Sequence, residues 1–319
     1  MSLLLWIGVF VISLVVLITA ARYFTRSAEI IGLTLGMSSF ATGVIIVALG
    51  TSLPELISAL IAVRKGASEI VAGNVIGSSI SNLFLVMSLT TIFSPKPVKL
   101  GDQYIFIDLH FLVGAAFLLA IMMWDRVITL IEGLLLLAAY VTYVFYLLNE
   151  GDTSRNMVTD DKVEEVRHRE KVRVKDLGII ILSAIFIFVG ANYTITSLEI
   201  IAENFGISKA IISVTLLSLG TTLPEAVVSV SAAREDKADI AVGNVLGSCV
   251  FNALGVPGLA VLIGNIAIPP EIAALPLPVY LIGVVLFYLI TQDKRISKWE
   301  GILFLLFYIL FILKVTALA

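Results

Sequence analysis

The 319-residue sequence predicts an all-α membrane protein, with ten transmembrane helices as two inverted five-helix repeats and with helices 2 and 7 broken at the centre. Three observations carry that prediction. With 59% hydrophobic residues, 14% charged residues and a mean hydropathy of +1.05, the chain is too apolar to keep the wettable surface of a soluble protein. Apolar stretches of the ~20 residues needed to cross a hydrocarbon layer about 30 Å thick recur throughout. A pattern in residues 23–82 recurs at 193–252.

The apolar stretches are 3–21, 37–63, 69–93, 103–124, 127–148, 175–195, 209–233, 239–264, 273–291 and 298–317. They are continuously apolar where a membrane barrel strand alternates, which excludes a β-barrel. The first lacks a basic leader and a small-residue cleavage site, so it reads as a helix and not as a signal peptide. Cys249 is the single cysteine, so an intrachain disulfide is impossible. A net charge of -3 and a pI near 5.5 give no reason to invoke nucleic acid.

Charge is concentrated in residues 150–176, which hold 15 of the 45 Asp, Glu, Lys and Arg side chains. This segment reads as a solvated linker, in which Glu165 and Arg169 stand four apart as a helical ion pair would. It divides the chain into an N-terminal five-helix repeat, 1–149, and a C-terminal one, 177–319. Counting Lys and Arg alone, an N-terminus outside leaves 16 of 21 on the cytoplasmic side, which predicts both termini outside a cell membrane.

The repeat keeps one register. Tyr23 matches Tyr193, Glu29 matches Glu199, and Thr51, Leu53, Pro54 and Glu55 match Thr221, Leu223, Pro224 and Glu225. Asn74, Ser78 and Asn82 then match Asn244, Ser248 and Asn252. Five helices per half is an odd number, so the second copy enters the membrane in the opposite direction. Inverted duplication is characteristic of secondary transporters, whose sites lie near the midplane where discontinuous helices meet.

Pro54 has no N–H and crowds the carbonyl of Gly50, as Pro224 crowds that of Gly220. Carbonyls freed in hydrocarbon cost several kcal/mol unless something polar reaches them. Those near Thr51 and Thr221 are hard oxygen ligands one turn before Glu55 and Glu225. Asn74, Ser78 and Asn82 share a helix face, as do Asn244, Ser248 and Asn252. Beside them Gly73 and Gly77, and Gly243 and Gly247, have the spacing that lets helices approach closely. Together these form an oxygen-only site with two carboxylates, which suits calcium above magnesium and disfavours zinc and copper. Ser52 to Glu55 also spells a capping box, which is compatible with a helix restarting after the break. Asp108 and His110 lack repeat partners and read as interface residues; Glu29 and Glu199 read as helix-end contacts.

The pair GTSLPE…GNVIGSSISN and GTTLPE…GNVLGSCVFN resembles the two α-repeats of the cation/calcium exchanger superfamily, in particular its sodium/calcium exchanger branch. The resemblance implies a secondary active antiporter in which Glu55 and Glu225, with the carbonyls of Thr51 and Thr221, bind calcium. Sodium would use Ala48, Ser52 and Ser78 in one half and Ser218, Thr222 and Ser248 in the other, with Asn82 and Asn252 completing the central site. Helices 1 and 6 would slide past the core. Potassium-dependent relatives carry Asp where this chain has Asn252, which implies potassium independence, and the linker is too short for the calcium-sensing domains of animal exchangers. The expected ratio is about three sodium to one calcium, by a functional monomer without cofactors.

A proton/calcium antiporter on the same fold is the alternative, since paired glutamates can also carry protons. That branch has an additional acid in its Gly-Asn segment, which is missing here. A passive cation channel has no need of an inverted duplication. An intramembrane hydrolase is weaker still, and no enzyme is expected: His110 and His168 are the only histidines, neither lies in a repeated motif, and no nucleophile and base pair suggests itself.

Overall fold

The computed structural model describes residues 3–100, 109–154, 174–204 and 209–318, with backbone alone for 150–154, 195, 198–199, 202–203, 209–221 and 318. The linker core and Asp108 lie outside the described residues. Eleven helices are described: α1 Leu3–Thr34, α2 Ser39–Thr51, α3 Leu53–Arg64, α4 Glu69–Phe93, α5 Leu109–Met122, α6 Leu130–Ser154, α7 Val174–Asn204, α8 Lys209–Arg234, α9 Ala238–Ala260, α10 Pro270–Asp293 and α11 Lys298–Leu318. Among the described residues, seven of these helices are long and apolar enough to cross a membrane, or eight when the bent pair α2–α3 counts as one span.

Apolar length predicts where a helix crosses hydrocarbon but not where it stops. Helix α1 runs to Thr34 instead of residue 21, because nothing interrupts it before Gly36, whose φ of 82° lets the chain reverse. Its 32 residues give it a length of about 48 Å. Helix α7 likewise continues to Asn204. Helix α5, in contrast, is described over only 14 residues.

The two proline motifs act differently on their helices. The chain bends by 45° between α2 and α3 at Ser52 (φ -91°, ψ 8°), as the proline predicts. Pro224 instead lies inside the uninterrupted helix α8, so the expected second break is absent. A proline removes one rung of the ladder without forcing a break when the neighbouring dihedrals stay helical.

Helices α9 and α4 form the centre: the apolar window of α9 is wholly buried and that of α4 is 72% buried, against 17–28% for the other single-helix spans. Gly243 and Gly247 explain how α9 sits so tightly against α2. A Cβ on Gly247 would meet Val44 Cα and Ala48 Cβ at 2.7 Å, so the two backbones nearly touch. A second, smaller hydrophobic cluster joins α1 and α7 to α8 and α9 through small residues, among them Ala20, Ala21, Ala28, Ala191, Ala232, Ala233 and Ala241. Within it, the Thr194 hydroxyl pairs with Ser13 at 3.0 Å.

Two short strand pairs tie the loops together. Val98–Lys99 (β1) pairs with Arg295–Ile296 (β4), and Val127–Ile128 (β2) pairs with Ile266–Ala267 (β3). Other contacts respect the same division. Lys96 meets Asp236 at 2.6 Å and Lys237 meets Glu29 at 3.0 Å, whereas Ser68 accepts from the Ala267 N–H at 3.2 Å. Burial works against the charge of Lys237, but Glu29 and Glu235 outweigh it and hold the ammonium above its usual range.

A further repeat joins the one legible at 23–82. Asp125-Arg126 and Asp293-Lys294 both place the basic residue at positive φ, 73° and 62°. Each is followed by a strand and a capping bond, from Thr129 N–H to Glu132 at 2.8 Å and from Ser297 N–H to Glu300 at 2.6 Å. Gly133 then packs against Val261, and Gly301 against Thr91, the residue that matches Val261. Ser79 and its match Cys249 also touch, with the thiol 3.8 Å from the Ser79 carbonyl.

Gly247→Val is expected to destabilise the detergent-purified protein by about 1–3 kcal/mol, because its branched side chain must displace the α2 backbone. Gly114→Ala adds a methyl that meets nothing within 4 Å among the described residues and leaves the melting temperature unchanged. Equal melting temperatures for the two variants would contradict this packing.

Candidate functional site

The bend at Ser52 brings α2, α3, α8 and α9 to one place. Two backbone bonds cross it, Ser52 N–H to Ala48 O at 2.9 Å and Leu56 N–H to Ser52 O at 3.2 Å. Pro54 has no N–H, which leaves the Gly50 carbonyl without its helical donor. Ser52 makes no capping bond with its own helix. Its hydroxyl crosses to the other half of the chain and donates to Glu225 Oε1 at 2.9 Å, while the Ser248 hydroxyl stands 3.0 Å from it. A single hydroxyl proton given to the carboxylate leaves Ser52 to accept from Ser248, so the chain runs Ser248 to Ser52 to Glu225.

A second bridge lies one residue back. The Thr51 hydroxyl donates to Asn244 Oδ1 at 3.1 Å, with the Ala48 carbonyl at 3.3 Å. Asn244 Nδ2 donates to the Ser229 hydroxyl at 2.8 Å and faces the Glu225 carbonyl at 3.4 Å. Both bridges join residues from different repeats, so the site exists only where the halves meet.

Glu55 and Glu225 are buried, with 1% and 0% of their surface exposed. Neither oxygen of Glu55 has a hydrogen-bond partner among the described residues, and Glu225 Oε2 has none. Asn82 and Asn252 are in the same position, with both polar side-chain atoms buried and unpartnered. These asparagines sit on matching π-helical turns, Ser81–Val86 and Phe251–Gly255, a local widening common at functional sites. Buried polar atoms normally find partners. Their concentration here describes a set of oxygen donors and amides arranged to hold something else.

The structure gathers Ala48, Thr51, Ser52, Glu225 and Ser248 through the contacts above, and buries Glu55, Ser78 and Thr222 at 1%, 2% and 1% exposure. The side chains of Ser218, Thr221 and Glu199 lie outside the described residues. Among the described residues no group of three or more His, Cys, Asp and Glu side chains could hold a metal. Two carboxylates supported by neutral oxygens therefore make up the charged part of the site. Glu29 is in the Lys237 ion pair, and the His110 ring lies edge-on to Tyr288 at 5.6 Å between centroids. Ser229 was not visible to the repeat comparison, because its matching position is Ala59 and it carries no shared motif.

The family pattern described as sodium/calcium exchanger protein matches residues 5–149 and 175–317. The sodium/calcium exchanger MaX1 of Methanosarcina acetivorans is 31% identical over 95% of this chain and 96% of its own length. The rat (Rattus norvegicus) sodium/potassium/calcium exchanger 2 is 31% identical over 50% of this chain and 24% of its own length. A structure of the sodium-calcium exchanger NCX_Mj soaked with zero Na+ and Ca2+ superposes with a TM-score of 0.80 at 29% identity, over 98% of this chain and 100% of that one. With the pattern matched across both halves, the chain belongs to the sodium/calcium exchanger family and is a multi-pass membrane transporter, not an enzyme.

Proposed function

We propose that this protein is a secondary antiporter that exchanges Na+ for Ca2+ by alternating access. The observation that carries the reading is the pair of repeat-matched glutamates, Glu55 and Glu225, buried between the halves with three of their four carboxylate oxygens unpartnered among the described residues. An intramembrane carboxylate is expensive, and two of them share a hard cation more readily than they share hydrocarbon. Calcium takes both glutamates with the Thr51 and Thr221 carbonyls. Sodium takes the flanking oxygens of Ala48, Ser52, Ser78, Ser218, Thr222 and Ser248. Asn82 and Asn252 complete the centre as neutral ligands, which supports potassium independence because the site keeps a formal charge of only two carboxylates.

The ten-helix inverted architecture is part of the same reading, with halves 1–149 and 177–319 around linker 150–176. It is supported by the strand pairs: the operation that takes β1 to β3 and β4 to β2 exchanges one loop set for the other, as inversion in the membrane requires. The small-residue cluster beneath α1 and α7, helices 1 and 6 of the ten, supports their sliding against the core. The excess of Lys and Arg on one loop set supports both termini outside. A single chain contains the whole site, which favours a functional monomer.

Magnitudes favour three sodium ions per calcium. Moving two charges outward against 100 mV takes about 4.6 kcal/mol. A ten-thousandfold calcium gradient adds about 5.5 kcal/mol. Each sodium entering down a tenfold gradient returns about 3.7 kcal/mol. Three are needed, and one net positive charge moves per cycle.

In proteoliposomes, a sodium gradient is expected to drive calcium uptake and a membrane current, with no effect of added potassium. Flux driven by a proton gradient alone would favour the proton-coupled alternative, and flux without any counter-ion would favour a channel. Glu55→Gln and Glu225→Gln are each expected to abolish calcium flux while the purified protein stays folded and monodisperse. Near-normal flux in either variant would overturn the site assignment.

A further inference from the structure

The two halves of the site are nearly identical in sequence, yet they are not held alike. On the Glu225 side, Oε1 accepts from Ser52, and Asn244 spends its amide on Ser229 at 2.8 Å and its carbonyl oxygen on Thr51 at 3.1 Å. On the Glu55 side, both carboxylate oxygens and the matching amide, Asn74 Nδ2, are buried and unpartnered among the described residues. The difference has a covalent origin. Ser229 lies one turn after Glu225, and the residue one turn after Glu55 is Ala59, which has no hydroxyl to offer Asn74.

We infer that Ser229 is a positioning residue that preorganises one half of the ion site and leaves the other to close around the ion. The inference deepens the exchange reading above and rests on it. Ser229 is fully buried, on the same face of α8 as Glu225. By accepting from Asn244 Nδ2 it turns the Asn244 carbonyl oxygen toward Thr51, and so steadies the hydroxyl of the residue at the helix bend. The same Asn244 amide faces the Glu225 carbonyl at 3.4 Å, which links the backbone that bears the second carboxylate to the same anchor. Glu55 and the Asn74 amide have no such anchor among the described residues, so the freedom they lose on binding counts against the ion's own affinity.

A preorganised half lowers the ordering cost of ligation without touching the ion, so its loss appears in affinity and not in turnover. Ser229→Ala removes one neutral hydrogen bond, worth about a fivefold change in apparent calcium affinity. Ser229→Thr keeps the hydroxyl and is expected to stay close to the wild type. The reciprocal change Ala59→Ser offers the Asn74 amide a partner that it lacks among the described residues, and is expected to raise affinity by about a factor of two to five.

The experiment measures sodium-driven calcium uptake against calcium concentration in proteoliposomes, together with calcium-dependent thermal stabilisation of the detergent-purified protein. The expected result is a weaker half-saturating concentration in Ser229→Ala at a maximal rate within about twofold of wild type, with the thermal shift moved to higher calcium by a similar factor. Ser229→Thr should restore both. Unchanged affinity in Ser229→Ala, a lowered maximal rate at unchanged affinity, or a Ser229→Thr variant no better than Ser229→Ala would each overturn the inference. An inactive wild type would instead overturn the exchange reading itself, so the two failures are distinguishable.

Discussion

Two carboxylates are buried in the part of the molecule that must lie in hydrocarbon, and the rest of the architecture follows from that cost. A charge at this depth requires either neutralisation or a surrounding set of dipoles, and hydrocarbon provides neither. The bend at Ser52, the π-helical turns at Asn82 and Asn252, and the close seating of α9 on α2 all bring oxygen and amide groups to the same small volume. Each of these features weakens a helix if taken alone. Together they exchange helical regularity for ligand density.

Duplication solves the geometric half of this problem. One copy of the repeated motif can present a carboxylate, a freed carbonyl and a polar helix face on one side only. A second copy, inverted as proposed, would present the same set from the opposite side, and Ser79 does touch its own match, Cys249. The hydrogen bonds from Ser52 to Glu225 and from Thr51 to Asn244 show how far the halves depend on each other, since neither bridge can form within one repeat.

The helices α1 and α7 stand apart from this arrangement. Seven of the thirteen buried residues in the cluster that joins them to α8 and α9 are alanine, beside larger ones such as Leu17, Phe24 and Ile187, and Thr194 pairs with Ser13 between them. Small side chains interdigitate little, so a surface built from them resists sliding less than one of large branched residues. At one end Glu29 and Lys237 join α1 to the turn before α9, while the position matching Lys237 is Ala67, which carries no charge.

By itself the sequence determined the membrane setting, the duplication and the presence of two matched glutamates within apolar segments, because hydrophobic length, a constant register and an acid in an apolar run are all one-dimensional signals. It also overreached at Pro224: a proline specifies a missing hydrogen bond, and only the surrounding packing decides whether the helix breaks there. The repeat at 125–133 and 293–301 escaped the constant offset because the spacing shifts by two residues, and it emerged from matched dihedrals and capping bonds. The asymmetry of the site needed tertiary structure entirely. Ser229 and Asn244 are 15 positions apart and share no motif, and only the packing of α8 on α9 makes one the anchor of the other.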